Sequence, residues 1–87
     1  MSTHPVVPAA GEVTVYSTSW CPYCSLLTSS LVAEGVQFTI VDLDEDPEAA
    51  AYVERVNGGN RVVPTVVFPD ATTATNPAID DVRLRLY

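Results

Sequence analysis

Lysine is absent from this chain of 87 residues, and arginine supplies all four permanent side-chain cations: Arg55, Arg61, Arg83 and Arg85. Eleven Asp and Glu residues outweigh them and leave a formal net charge of −7. Nothing here could neutralise a run of phosphates, so the composition argues against a nucleic-acid partner. The acidity reads as a device for solubility. No apolar run reaches the ~18 residues needed to span a membrane, so no membrane partner is expected. Cysteine is scarce too. Two residues, Cys21 and Cys24, are too few for a disulfide-stapled secreted scaffold. The stretch Met1-Ser2-Thr3-His4-Pro5 lacks the basic and apolar regions of a secretory signal, so the expected location is cytoplasmic.

What is present centres on Trp20-Cys21-Pro22-Tyr23-Cys24. The approach, Val13 to Ser19, is β-branched and aromatic and reads as a buried strand ending in a turn. Beyond it, Cys24, Leu27, Thr28 and Leu31 share one face of a helix. Pro22 suits the first helical position, where a missing N–H is harmless. Cys21 then stands at the N-cap, where unpaired N–H groups and the positive end of the helix favour a thiolate. Cys21 is expected to be an exposed nucleophile and Cys24 an inward-facing thiol, either resolving or a bystander. Their Cα atoms can approach to about 5.5–6 Å, close enough for a disulfide. The rival reading is half of a zinc site, but zinc needs about four ligands and only His4 is left to join the two thiols.

The rest of the chain predicts one small α/β domain over residues 12–87, preceded by a frayed tail over 1–11, where Pro5, Pro8 and Gly11 break any period. The first strand runs from Val13 to Ser17 and the first helix from Pro22 to Glu34, ended by Gly35 in a left-handed conformation. Val36 to Leu43 reads as a strand covered on both faces. Asp44-Glu45-Asp46 is an acidic run best read as a solvated loop, with Asp46 capping a helix that begins at Pro47. That helix carries Ala49, Val53 and Val56 inward and ends at Asn57-Gly58-Gly59-Asn60. Pro64 must open the next strand, because it cannot donate within a ladder. A weak Asp70-Ala71 turn leads to a short strand, Thr72 to Thr75. Asn76 and Pro77 then read as cap and first residue of a last helix with Ile79, Val82 and Leu86 inward. The element order is βαβαββα, with the last two strands forming a hairpin.

Cys21-Pro22-Tyr23-Cys24, followed by Val63-Pro64-Thr65, resembles the glutaredoxin branch of the thioredoxin superfamily. Thr18-Ser19-Trp20-Cys21, Asn57-Gly58-Gly59-Asn60-Arg61 and Thr75-Asn76-Pro77 narrow the likeness to the actinobacterial mycoredoxins. The resemblance implies a thioredoxin-like, glutaredoxin-type fold with a four-stranded mixed sheet flanked by three helices. It implies a cis Pro64 that exposes the Val63 backbone to pair with an extended substrate. It assigns catalysis to Cys21 and Cys24, and thiol or substrate contact to Trp20, Tyr23, Arg61, Val63, Pro64, Thr75 and Asn76. No metal and no tightly bound cofactor are expected. The implied activity is reduction of mycothiol–protein mixed disulfides by a monomer. Mycothiol would be the cosubstrate, and a mycothiol disulfide reductase would supply electrons from NADPH.

The chain departs from glutathione-using glutaredoxins in two places. Thr18 stands where they usually carry a lysine. Thr75-Asn76-Pro77 replaces the Gly-Gly and paired-Asp segment that holds the γ-glutamyl group. A site without that lysine on an acidic protein suits a neutral thiol better than anionic glutathione. Asp70-Ala71 replaces a common Asp-Gly turn, which bears on hairpin geometry. Two other functions stay open at this stage. One is a dithiol redoxin of the NrdH type fed by thioredoxin reductase, or a glutathione-fed equivalent. The other is an iron–sulfur carrier, with a cluster bridged between two copies by Cys21 and two thiol ligands.

Overall fold

The computed structural model of the chain describes residues 4–86. Positions 1–3 of the expected tail, and Tyr87, lie outside the described residues. The elements are β1 (Glu12–Ser17), α1 (Pro22–Ala33), β2 (Gln37–Asp42), α2 (Pro47–Val56), β3 (Thr65–Val67), β4 (Thr73–Thr75) and α3 (Ile79–Leu86), in the expected order. They build one mixed sheet in the order β2-β1-β3-β4. β1 pairs with β2 in parallel from Glu12↔Gln37 to Ser17↔Asp42. β3 runs antiparallel to β1, and β4 antiparallel to β3 through Thr65↔Thr75, Val66↔Ala74 and Val67↔Thr73. The last pair is the expected hairpin.

Strand alternation sorts the core into two layers. Val13 and Val15 of β1 join Val66, Phe68, Leu27 and Leu31 of α1 and Val82 of α3 on one face. Tyr16 and Val67 meet Ala49, Ala50, Tyr52 and Val53 of α2 on the other. Helix α1 stops as the glycine signal indicates. Gly35 takes φ +71°, while its N–H donates to the Val32 carbonyl and that of Val36 to Leu31, which is a Schellman closure.

Three packing expectations need correction. β2 is an edge strand rather than one covered on both faces, and Ile40 is 51% exposed. Ile40 lies beside the small residues Ser25 and Thr28 of α1, which leave a cleft there instead of a cover. Val56 is 40% exposed, because it is the last residue of α2 and Tyr52 takes the inward position. His4 and Val6, within the expected tail, are tied to the domain. The His4 side chain is 3% exposed, and its ring lies 2.9 Å from both the Tyr16 hydroxyl and Asp46 Oδ2. Val6 N–H donates to the same tyrosine hydroxyl, and Thr14 Oγ1 donates to the Val6 carbonyl. A stretch without periodicity carries no local sign of partners so far along the chain.

Candidate active site

β1 ends at Ser17 and delivers a short turn to the N-terminus of α1. There Cys21 takes the extended backbone of an N-cap, φ −88° and ψ 109°, with Pro22 in the first turn. The Cys24 N–H donates to Cys21 Sγ over 3.1 Å. Cys21 Sγ also lies 3.9 Å from the Val63 carbonyl oxygen, next to the cis peptide joining Val63 to Pro64. Both cysteines are free thiols.

Cys21 is buried, with 5% of its surface exposed, against the expectation of an exposed nucleophile. A capping side chain must fold back over the first helical turn to meet its N–H groups, and that takes the sulfur away from solvent. Its flanks stay open: Trp20 is 71% and Tyr23 60% exposed. Cys24 is buried to the same degree and faces inward as expected. Burial pushes its thiol up to about 12; the Cys21 side chain adds to the shift, and a main-chain hydrogen bond from Thr18 opposes it. Cys24 therefore holds its proton at neutral pH, while Cys21 Sγ accepts from the Cys24 N–H at the helix cap.

The structure gathers some of the sequence-derived residues and scatters others. Cys21, Cys24, Val63 and Pro64 converge. Asn76 is tied to them through its N–H, which donates to the Pro64 carbonyl over 2.7 Å. Asn76 is not the cap of α3. It takes φ +47°, a region asparagine tolerates, and the helix starts later, with Val82 N–H bonded to the Ala78 carbonyl. The main chain must reverse at Asn76 to meet Pro64, so the helix cannot begin at Pro77. Asn76 and Pro77 line a groove of about 180 Å³ with Tyr23, Leu26 and Leu27, among whose walls no residue is charged. Thr75 Oγ1 turns away to donate to Asn57 Oδ1 over 2.6 Å. Arg61 is paired with Glu54 at 3.4 Å, and its side chain is 61% exposed.

Two residues not assigned a role in the site stand out. Asn57 closes α2 by donating to the Val53 carbonyl and also donates to Thr65 Oγ1. It thus joins α2, β3 and β4 behind Pro64; only its place before two glycines hinted at this. Thr18 has a buried Oγ1 without a hydrogen-bond partner among the described residues, and its carbonyl accepts from Cys21 N–H. His4 does not turn toward the thiols. Its ring lies against Tyr16 and Asp46 instead.

The chain was compared with known proteins. The glutaredoxin family profile matches residues 13–71. Mycoredoxin 1 of Corynebacterium glutamicum is 49% identical over 75 residues, which is 86% of this chain and 92% of that protein. A Mycobacterium tuberculosis protein whose name places it among glutaredoxins is 47% identical over 74 residues, covering 85% of this chain and 88% of its own. The crystal structure of the glutaredoxin from Methanosarcina mazei superposes with a TM-score of 0.74 at 28% identity, over 88% of this chain and 79% of that one.

Proposed function

We propose, from the premise that this chain belongs to the glutaredoxin family of thiol–disulfide oxidoreductases, that its substrates are mixed disulfides between mycothiol and protein cysteines. The observation that carries this reading is the 49% identity to Mycoredoxin 1 across nearly the whole of both chains. The missing lysine supports it, because the site offers Thr18 and no cation where an anionic thiol would need one.

The chemistry proceeds by two exchanges. Cys21 thiolate attacks the mycothiol sulfur of the mixed disulfide, and the bond to the protein sulfur breaks. The target leaves as a thiolate, and Cys21 is left joined to mycothiol. A second mycothiol thiolate attacks that sulfur, forms mycothiol disulfide and returns Cys21. An NADPH-dependent mycothiol disulfide reductase then regenerates the cosubstrate. The Cys24 N–H held 3.1 Å from Cys21 Sγ stabilises the sulfur as nucleophile and as leaving group. The Val63 main chain, whose carbonyl lies 3.9 Å from Cys21 Sγ, pairs with the substrate backbone beside its cysteine. Exposed Trp20 and Tyr23 flank the approach and offer faces to the pseudodisaccharide. The protein acts as a cytoplasmic monomer.

The test is NADPH consumption with a mycothiolated protein through three reducing systems: mycothiol with its reductase, glutathione with its reductase, and thioredoxin reductase alone. Turnover confined to the mycothiol system, lost in Cys21→Ser and retained in Cys24→Ser, is the expected result. Turnover with thioredoxin reductase alone, requiring both cysteines, would replace this reading with a dithiol redoxin.

A further inference from the structure

Cys24 has an outlet of its own. On the side where β2 forms the sheet edge, a cleft of about 240 Å³ reaches Cys24 and is walled by Ser17, Thr18, Ser25, Thr28, Ile40 and Asp42. A water occupies about 30 Å³ of liquid, and the hydroxyl and carboxylate side of this cleft, opposite the apolar Ile40, leaves room for a short chain of them. Asp42 closes the far wall. It is the last residue of β2, in register with Ser17, and only partly buried. Its Oδ1 accepts from Asp44 N–H over 2.8 Å. Thr28 and Ser25 spend their hydroxyl protons on the carbonyls of Ser25 and Cys21, which leaves their oxygens as acceptors. Thr18 Oγ1 is buried and bonded to nothing among the described residues. A buried hydroxyl without a partner is unfavourable unless another state of the molecule uses it. Cys21 in the same motif acts on Cys24 directly, and Asp42 is the titratable residue in the wall of the cleft.

We propose that this cleft is the proton exit for Cys24, with Asp42 as the accepting carboxylate through water and Thr18 as a positioning residue for the thiolate that forms. The step is closure of the internal disulfide. Cys24 attacks Cys21 in a Cys21–S–S–R adduct, the bond to R breaks, and R leaves as a thiolate. The Cys24 proton passes to Asp42 and then to solvent. No outside oxidant is consumed, because the adduct already carries the oxidation. The burial that keeps Cys24 protonated makes such an outlet necessary for closure at neutral pH. The proposal depends only on the two thiols and holds whichever small thiol serves as cosubstrate.

A symmetrical aromatic disulfide, mixed with the reduced protein in stopped flow, separates the steps. Cys21 attack releases one coloured aryl thiolate in a first burst, and Cys24 closure releases a second. Cys24→Ser must give the first burst alone. In Asp42→Asn, which keeps an oxygen for the Asp44 N–H, the first burst is unchanged and the second slows by roughly tenfold at neutral pH. Its rate then climbs by nearly tenfold per pH unit, as expected for a thiol that must ionise unaided, whereas the parent shows a shallower profile. Asp42→Glu restores part of the rate, and Thr18→Val slows the second burst by about threefold. An unchanged second burst and pH profile in Asp42→Asn would overturn the proposal. Absence of the first burst from the parent would instead overturn the thiol chemistry itself.

Discussion

Helices α1 and α2 begin in the same way and do different things. Each opens with an extended N-cap residue followed by proline: Cys21-Pro22 and Asp46-Pro47. Each capping side chain accepts from main-chain N–H groups of the first turn. Cys21 Sγ accepts from Cys24 at 3.1 Å, and Asp46 Oδ1 accepts from Glu48 and Ala49 at 3.1 and 3.2 Å. A carboxylate is a permanent acceptor, so the α2 cap is structural, and it is tied further by His4. A sulfur is an acceptor whose charge and bonds can change, so the same frame becomes a site of chemistry. One local geometry serves both, and the capping atom decides the use.

The largest effect comes from breaking the reactive cap. Cys21→Ser keeps an oxygen at the cap position and so changes the melting temperature by no more than a few degrees, while reductase turnover falls to background. Thermal melting beside the coupled NADPH assay reports both. The reverse is expected at the other helix. Asp46→Ala removes the cap and the carboxylate facing His4, lowers the melting temperature by roughly 5 °C and leaves turnover unchanged.

A pH series sharpens the contrast. The hydrogen bond from His4 holds the Asp46 carboxyl below its ordinary range, with the Ala49 N–H helping. The Thr72 hydroxyl does the same for Asp70. A carboxyl lowered in the folded state stabilises the protein above its unfolded pKa of about 3.9, and that contribution fades as pH falls further. Melting curves of the parent and Asp46→Asn are therefore expected to converge below pH ~4. Cys24 gives the opposite sign. Its raised folded pKa means that the unfolded chain loses the proton first, so stability declines as pH rises above the ordinary thiol value of about 8.5. Cys24→Ser should flatten that alkaline limb.

The smallest effect lies away from both helices. Ala71 sits at φ +68°, in a hairpin turn closed by Ala71 N–H to the Phe68 carbonyl and Phe68 N–H to the Thr72 carbonyl. Alanine is strained there, and glycine is not. Ala71→Gly is expected to stabilise by about 0.5–1 kcal/mol, after the added freedom of the unfolded chain is deducted. Chemical denaturation measures it, and turnover should not move.

Much of this was legible because its causes are local. The caps of α1 and α2, the glycine stop at Gly35 and the start of β3 after Pro64 each depend on a few adjacent residues. The Cys-x-x-Cys pair was legible for the same reason, since a helical turn fixes its spacing. Inward faces were read correctly where the period was long, as for Leu27 and Leu31. They failed at Ile40 and Val56, whose burial depends on whether another element reaches them. Thr75 and Asn76, adjacent in sequence, point to different partners, Asn57 and Pro64, and no spacing rule separates them.

The sequence by itself determined the order of elements, the spacing of Cys21 and Cys24 and the thiol cap of α1, since each follows from contacts within one turn or strand. Tertiary structure alone decided that the Cys21 sulfur lies covered against Val63, that His4 docks on Tyr16 and Asp46, and that a cleft reaches Cys24. The physical reason is distance along the chain. Those features join residues 12 to 42 positions apart or residues of different strands and helices, so they exist only once the sheet has brought them together.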